Sequence, residues 1–394
     1  MRIAGSGLLP AVLCGALVAA AAPGGCALFK RMVGADTVML DELEVRSMSV
    51  DIRKERKTIC PLAPVQMAVF VTVEDPGDPS ATIDYETWQG PPGTRRNDRL
   101  DFANFAFHSS LGSFDEAGFF HPAGGVLASL SREYDIKVVL KKRPDKFTFD
   151  TSYQPDYRCV RGESFAGEPG MAGAAGSRGR DGASGAYGGE EPGGDGGDGC
   201  RGGDGGDGGA GRDGDAVELL ATRVRTPFYD ELLAVIVRSS SGERFLLAHP
   251  DQTLVFSADG GRGGAGGSGG AGGRGGAGGS GKPDGDGGNG GNGGNGGNGG
   301  PGGDGGTIEL VFDRRFPGLE SRIRLSAEGG AGGMGGSAGY GGAGGSGGAD
   351  GQRGRDGEDG AAGQPGPPGS RGRASAEPGE VAGSFAGIDG LEVL

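Results

Sequence analysis

Between residues 38 and 162 the chain alternates apolar and polar positions with a period of two. Val65, Met67, Val69, Val71 and Val73 interleave with Gln66, Ala68, Phe70 and Thr72. That pattern predicts a strand with one strongly apolar face. Tyr134 to Lys141 predicts a second strand, and Lys146 to Asp150 pairs back on it across the turn Arg143-Pro144-Asp145. Leu43 to Ile52 predicts a weaker strand, and 75–79 and 89–93 read as loops. Helical periodicity is poor, so 38–162 is expected to be a small β-sandwich. Its Trp88 and its histidines, His108 and His121, read as packing or surface residues. Two later stretches, 215–259 and 307–328, also carry apolar strand runs. In them 217–222, 232–237, 245–247, 253–256, 307–312 and 322–325 are expected to be strands that gather as a second β layer.

The rest of the chain has neither period. Gly and Pro make up about 29% of its 394 residues, 93 and 22 respectively. Such an excess ordinarily signals low complexity. Here, however, the glycine has phase. Runs 1 (167–188) and 6 (351–372) read Gly-X-Y; runs 2 (193–214), 3 (260–281), 4 (285–306) and 5 (329–350) are mostly Gly-Gly-X. Each run is 22 residues long. Segments packed side by side need equal lengths; disordered linkers do not.

Glycine at every third position suits a three-residue helix rising ~3.1 Å per residue, without internal hydrogen bonds, so a run would span ~68 Å. Its backbone must pair with a neighbour, and a neighbour can approach only a face without side chains. Gly-X-Y leaves one face bare and predicts edge positions for runs 1 and 6. Gly-Gly-X leaves two and predicts mostly interior positions for runs 2 to 5.

Six such runs joined by short turns resemble the polyglycine-II bundles of snow-flea-type antifreeze proteins and phage tail-tip adhesins. The repeats also resemble bacterial collagen-like proteins and mycobacterial PE-PGRS domains. The resemblance covers about half the chain and implies fold more than function. The expected fold is mostly β plus polyglycine-II: a β-sandwich, then about six antiparallel glycine helices with β inserts at one end. The turns Glu190-Glu191-Pro192 and Lys282-Pro283-Asp284 would lie at the far tip, with a third near Asp350.

The expected order is a signal peptide (1–25), a tether (26–37), the β-sandwich (38–162), runs 1 and 2 (163–214), a β insert (215–259), runs 3 and 4 (260–306), a second insert (307–328), runs 5 and 6 (329–372) and a tail (373–394). Arg2 and the apolar stretch up to Ala22 form the secretory signal. Pro23-Gly24-Gly25-Cys26 resembles a bacterial lipobox, with Pro23 departing from the usual aliphatic residue; that implies lipidation of Cys26. Simple cleavage after Ala22 is the alternative. Cys14 lacks a preceding small residue. Export permits disulfides. Cys60 and Cys159 bracket the first domain and are expected to pair, leaving Cys200.

Net charge is −14, which argues against nucleic acid as a partner. Gly276 to Lys282 resembles a phosphate loop but has Pro283 where Ser or Thr is needed. Gly266 to Gly270 matches a nucleophile-elbow pattern without its strand-to-helix turn. No convergent acid–base or nucleophile set is visible, and no cofactor or metal is implied. Asn289, Asn292, Asn295 and Asn298 fall one per turn, ~9.3 Å apart, as a candidate binding ladder for glycan or ice, or as a solvent-facing polar row. Asp195, Asp198, Asp204 and Asp207 form a similar row, spaced too widely to converge on one calcium. The expected protein is a non-enzymatic lipoprotein of the cell envelope, in the outer membrane or at the cell surface. It would be a single-chain structural or adhesive spacer meeting a surface glycan or envelope protein. A trimeric collagen-like stalk is the runner-up, and an ice-binding protein and a secreted enzyme follow.

Overall fold

The computed structural model describes residues 38–52, 57–87 and 99–394. The signal and tether segments, Cys14, Cys26, Trp88 and the 89–93 loop lie outside the described residues. The chain is mostly β, in several sheets. It divides into two compact units.

The first unit takes Ala63–Ala123, Glu133–Gln154 and the described residues up to Ile59. Its strands are β1 (Val45–Ile52), β2 (Thr58–Ile59), β3 (Val65–Asp75), β4 (Asp78–Glu86), β5 (Phe105–His108), β6 (Gly112–Phe114), β7 (Phe119–Pro122), β8 (Tyr134–Leu140) and β9 (Thr148–Pro155). One sheet runs β1-β3-β7-β6, with β4 also on β3; another runs β2-β9-β8-β5. The alternation expected of β8 is clean: Tyr134, Ile136, Val138 and Leu140 are buried, and Asp135 and Lys137 are exposed. In β3 the period-two pattern is overlaid by burial of Ala68 between Met67 and Val69. β4 begins at Asp78, inside the stretch read as a loop, because the turn at 76–77 is tight enough to leave Asp78 opposite Asp75.

The second unit takes Cys60–Leu62, Gly124–Arg132 and Pro155–Leu394. Hence residues 155–162 belong with the glycine runs, as do both cysteines of the Cys60–Cys159 disulfide. Its strands are β10 (Gly162–Ser164), β11 (Ala216–Thr226), β12 (Tyr229–Ser239), β13 (Gly242–Ala248), β14 (Leu254–Ser257), β15 (Thr307–Asp313), β16 (Ile323–Ser326), β17 (Arg373–Gly379) and β18 (Glu392–Val393).

Each glycine run has a strand at its sheet end. β10, β14 and β16 lead into runs 1, 3 and 5 and form a parallel sheet in that order. β11, β15 and β17 continue runs 2, 4 and 6 and are parallel neighbours in a larger sheet, β13-β12-β11-β15-β17. Valines, leucines and phenylalanines of the two sheets share one core, in which Leu219, Val235, Leu254, Phe256 and Ile308 are fully buried. The opposite face of the larger sheet has its own cluster, with Leu232, Leu247, Tyr157 and Phe385 fully buried. β12 is therefore covered on both faces, which explains its unbroken Leu232-Leu233-Ala234-Val235-Ile236-Val237 run.

The runs hydrogen-bond through their backbones. Run 1 donates to run 3 in parallel register, from Gly170 N–H on Arg262 O at 2.8 Å to Gly188 on Ser280 at 2.8 Å. Run 3 does the same to run 5, run 2 to run 4, and run 4 to run 6. Consecutive runs are antiparallel, as Gly264 N–H on Gly209 O and Gly291 N–H on Gly273 O illustrate, both at 2.8 Å. The bonding thus defines two layers, runs 1-3-5 and runs 2-4-6, in line with the two sheets. Runs 1 and 6 have two bonded neighbours, runs 2 and 5 three, and runs 3 and 4 four. Because direction alternates along the chain, the neighbours within each layer are parallel, and the antiparallel contacts lie between the layers.

Candidate functional site

The Asn ladder of run 4 faces outward from the 2-4-6 layer, but its amide oxygens are occupied. Asn289 Oδ1 accepts the Arg355 N–H, Asn292 that of Glu358, Asn295 that of Ala361 and Asn298 that of Gln364, at 2.9–3.0 Å. The Asp row of run 2 does the same for run 4. Asp195, Asp198, Asp204 and Asp207 accept the N–H groups of Asp286, Asn289, Asn295 and Asn298 at 2.6–2.8 Å. Side chains one turn apart therefore cap the backbone donors that face solvent.

The exceptions fit the same accounting. Ala210 of run 2 cannot accept, and the residue in its register on run 4 is Pro301, which has no N–H. Pro301 in turn stands in register with Pro367 of run 6. Only at Arg201 is the match broken: Arg201 pairs with Asp204 at 2.6 Å, and Asn292 N–H has no acceptor among the described residues. The Asn295 N–H, with Arg201 behind it, holds the Asp204 carboxyl below the ordinary range.

The tip turns meet at the end away from the sheets. Lys282 Nζ reaches both Glu190 carboxylate oxygens at 2.9–3.0 Å, and Lys282 N–H donates to Glu191 O at 2.8 Å. Gly193, after Pro192, donates to Pro283 O at 2.9 Å. Asp284 accepts from Gly281 at 2.7 Å and Asp350 at 3.0 Å, and the Gly281 bond first, then the Asp350 bond, keep its pKa low. The three turns form a tied cap whose polar groups serve one another. Cys200 is exposed and unbridged.

His121 Nε2 lies 3.1 Å from Asp115 Oδ2, and the same aspartate accepts the Ala117 and Phe119 N–H groups of its turn. His108 lines an open groove of about 410 Å³, where Asp135 takes the Ser110 hydroxyl and N–H. Both aspartates are thus engaged in holding loops.

Asp313, at the end of β15, is buried and accepts from the Thr222 hydroxyl at 2.7 Å and from Arg315 at 2.7 Å. The Arg315 hydrogen bond, against burial, lowers its pKa to about 2. A depressed carboxyl contributes stability that is present above its unfolded value near 3.8 and is lost as pH falls through about 2. That contribution is about 2 kcal/mol at neutral pH. Asp313→Asn is expected to lower stability by about this amount at pH 7 and to flatten the acid limb between pH 4 and 2. Urea unfolding at stepped pH measures it.

The opposite face, on runs 1, 3 and 5, carries Arg178, Arg262, Arg274, Met334 and Tyr340. Sequence reading passes over these residues because their alignment depends on the register between runs. Period three shows that each row faces one way, but not which rows adjoin. Comparison with protein-family models, curated proteins and solved structures gives no match.

Proposed function

We propose that the chain is an exported, lipid-anchored, non-enzymatic protein of the cell envelope, acting as a rigid structural or adhesive spacer, and that its glycine runs form a two-layer polyglycine-II bundle on a β base. The observation that carries the reading is the continuous backbone ladder joining six glycine runs of equal length within one chain. Such a ladder stiffens the bundle along its axis and leaves side chains only on its outer surface, where a partner is met. The parallel strands at the sheet end supply the apolar core that the glycine runs lack.

The same ladder favours a monomer over a collagen-like stalk. A triple helix sets one Gly of each chain on a shared axis. Here the glycine faces meet other runs of the same chain: a Cβ on Gly291 would lie 2.1 Å from Cys200 O, and one on Gly342 1.9 Å from Gly273 O. Envelope partners, a surface glycan or an envelope protein, would meet the outer rows.

Anchoring follows from acylation of Cys26 in the lipobox-like segment. Two or more acyl chains, at ~0.8 kcal/mol per buried CH₂, hold a protein stably on a bilayer. Mass spectrometry of the protein from the membrane fraction is expected to show an acylated N-terminal Cys26, and Cys26→Ser should release it to the soluble fraction. An unmodified mature N-terminus at Pro23 would exclude this anchor.

A further inference from the structure

The two broad faces of the bundle treat their outward N–H groups in opposite ways. On runs 4 and 6 the Asp and Asn rows cap nearly all of them. On run 3 the only cap among the described residues is Asp181, which accepts from Arg274 at 2.8 Å. The N–H groups of Arg262, Ala265, Ser268, Ala271 and Ala277 have no acceptor among the described residues. On run 5 the N–H groups of the outward row, from Ala331 through Met334, Ser337, Tyr340 and Ala343 to Ser346, have no acceptor among the described residues, whereas Gly341 and Gly344 of the neighbouring row are capped by Asp359 and Asp356 of run 6 at 2.7 and 2.8 Å. The result is two rows of open donors repeating every ~9.3 Å.

Charge divides in the same way. The capped face bears the run 2 aspartates with Asp286 and Asp304, against Arg201 and Arg355. Along the runs the open face carries Arg178, Arg262 and Arg274 against Asp181 alone, which bonds Arg178 and also lies near Arg274. Asp259 and Glu328 stand where its rows enter the sheets. In a chain of net charge −14 this face, between the sheet end and the tip, thus keeps an excess of arginine over carboxylate. Arg262 and Arg274 stand four turns apart on run 3, ~37 Å along the axis. Between their levels lie Met334 and Tyr340 of run 5, 66% and 75% exposed, placed by the Gly266 N–H on Met334 O and the Gly272 N–H on Tyr340 O.

We propose that this open face docks a linear acidic polysaccharide, a polyuronate lying along the run axis. Resting on the adhesive reading above, this names the partner and the face. Guanidinium groups take carboxylates bidentately. Open N–H rows take further oxygens of the polymer, and the exposed Tyr340 ring offers an amphipathic surface to the sugar. The capped face, with its donors used and its acids outward, repels the same polymer.

The test uses the full mature protein with Cys26→Ser, on immobilised polygalacturonate and, in parallel, on neutral dextran. Selective retention on polygalacturonate is expected. Arg262→Glu with Arg274→Glu should weaken it at least tenfold, and Tyr340→Ala several-fold. Arg355→Glu, on the capped face, should leave it within twofold, and all variants should keep the parent circular dichroism. Equal retention on dextran, or equal loss with Arg355→Glu, would overturn the proposal. Were Cys26 found unacylated while polygalacturonate selectivity persisted, the anchoring would fail and this face would stand. Acylation without selectivity gives the converse.

Discussion

Gly294→Val is expected to destabilise the glycine unit by about 3 kcal/mol or more, whereas Ala265→Val should change stability by less than about 0.5 kcal/mol. A Cβ on Gly294 would lie 2.0 Å from Gly203 O and 2.5 Å from its carbonyl carbon. Neither atom can turn aside as a side-chain tip does. Gly203 O is also the acceptor for Gly270 N–H at 2.8 Å. Gly294 itself donates to Gly270 O and accepts from Gly339 at 2.8–2.9 Å. One methyl-bearing carbon therefore strikes a neighbour in the same layer and disturbs bonds to two runs of the other. Burying a backbone group without its partner costs about 1–3 kcal/mol, on top of the overpacking. Ala265 is exposed in an outward row and already carries a Cβ. Melting curves of the two variants decide the matter, and equal midpoints would mean that the runs are not packed in solution.

How much of this arrangement was legible depended on the physics of each segment. Glycine phase announces a bare face directly, so the run lengths and the poorly bonded positions of runs 1 and 6 follow from residue identity alone. Runs 2 and 5, expected to be mostly interior, instead each end a layer, and only runs 3 and 4 are central. The insert strands were legible for a related reason: 232–237 is too apolar to stand anywhere but between two covered faces. Arg373 to Gly379 was hidden. Its Arg-Ala-Ser-Ala-Glu-Pro-Gly has no apolar period, because it is an edge strand held by β15 on one side and largely exposed. The Pro in it suits an edge, where a ladder donor is not required. The role of the Asn ladder was also out of reach. A row of one polar residue per turn looks the same whether it waits for a ligand or caps the next run. The distinction lies in the 66-residue offset between runs 4 and 6, which pairs Asn289 with Arg355 and Pro301 with Pro367. Once that offset is known, the matched prolines become intelligible in the sequence itself.

Removing the Cys60–Cys159 bridge is expected to cost about 2–5 kcal/mol, the range for a native disulfide closing a long loop. The cysteines are 99 residues apart, so the bridge removes more freedom from the unfolded chain than a short loop would. The folded side of the balance points the same way. Cys60–Leu62 is a three-residue excursion into the second unit from chain otherwise assigned to the first, with Pro61 buried and Leu62 exposed. Cys159 ends the helical turn Tyr157–Cys159, packs against the core shared by the two sheets, and follows Tyr157, which is fully buried beside Tyr229 at 5.5 Å. The bridge thus ties this short segment to the edge of the core shared by the two sheets. Cys200, exposed on run 2, has no such role, and Cys200→Ser should be silent within about 0.5 kcal/mol. The experiment is denaturant unfolding of the Cys60→Ser, Cys159→Ser double variant beside Cys200→Ser and the parent. Peptide mapping without reductant should recover Cys60 joined to Cys159. A double variant as stable as the parent, or a dominant Cys159–Cys200 peptide, would show that the second unit is held together without this bridge.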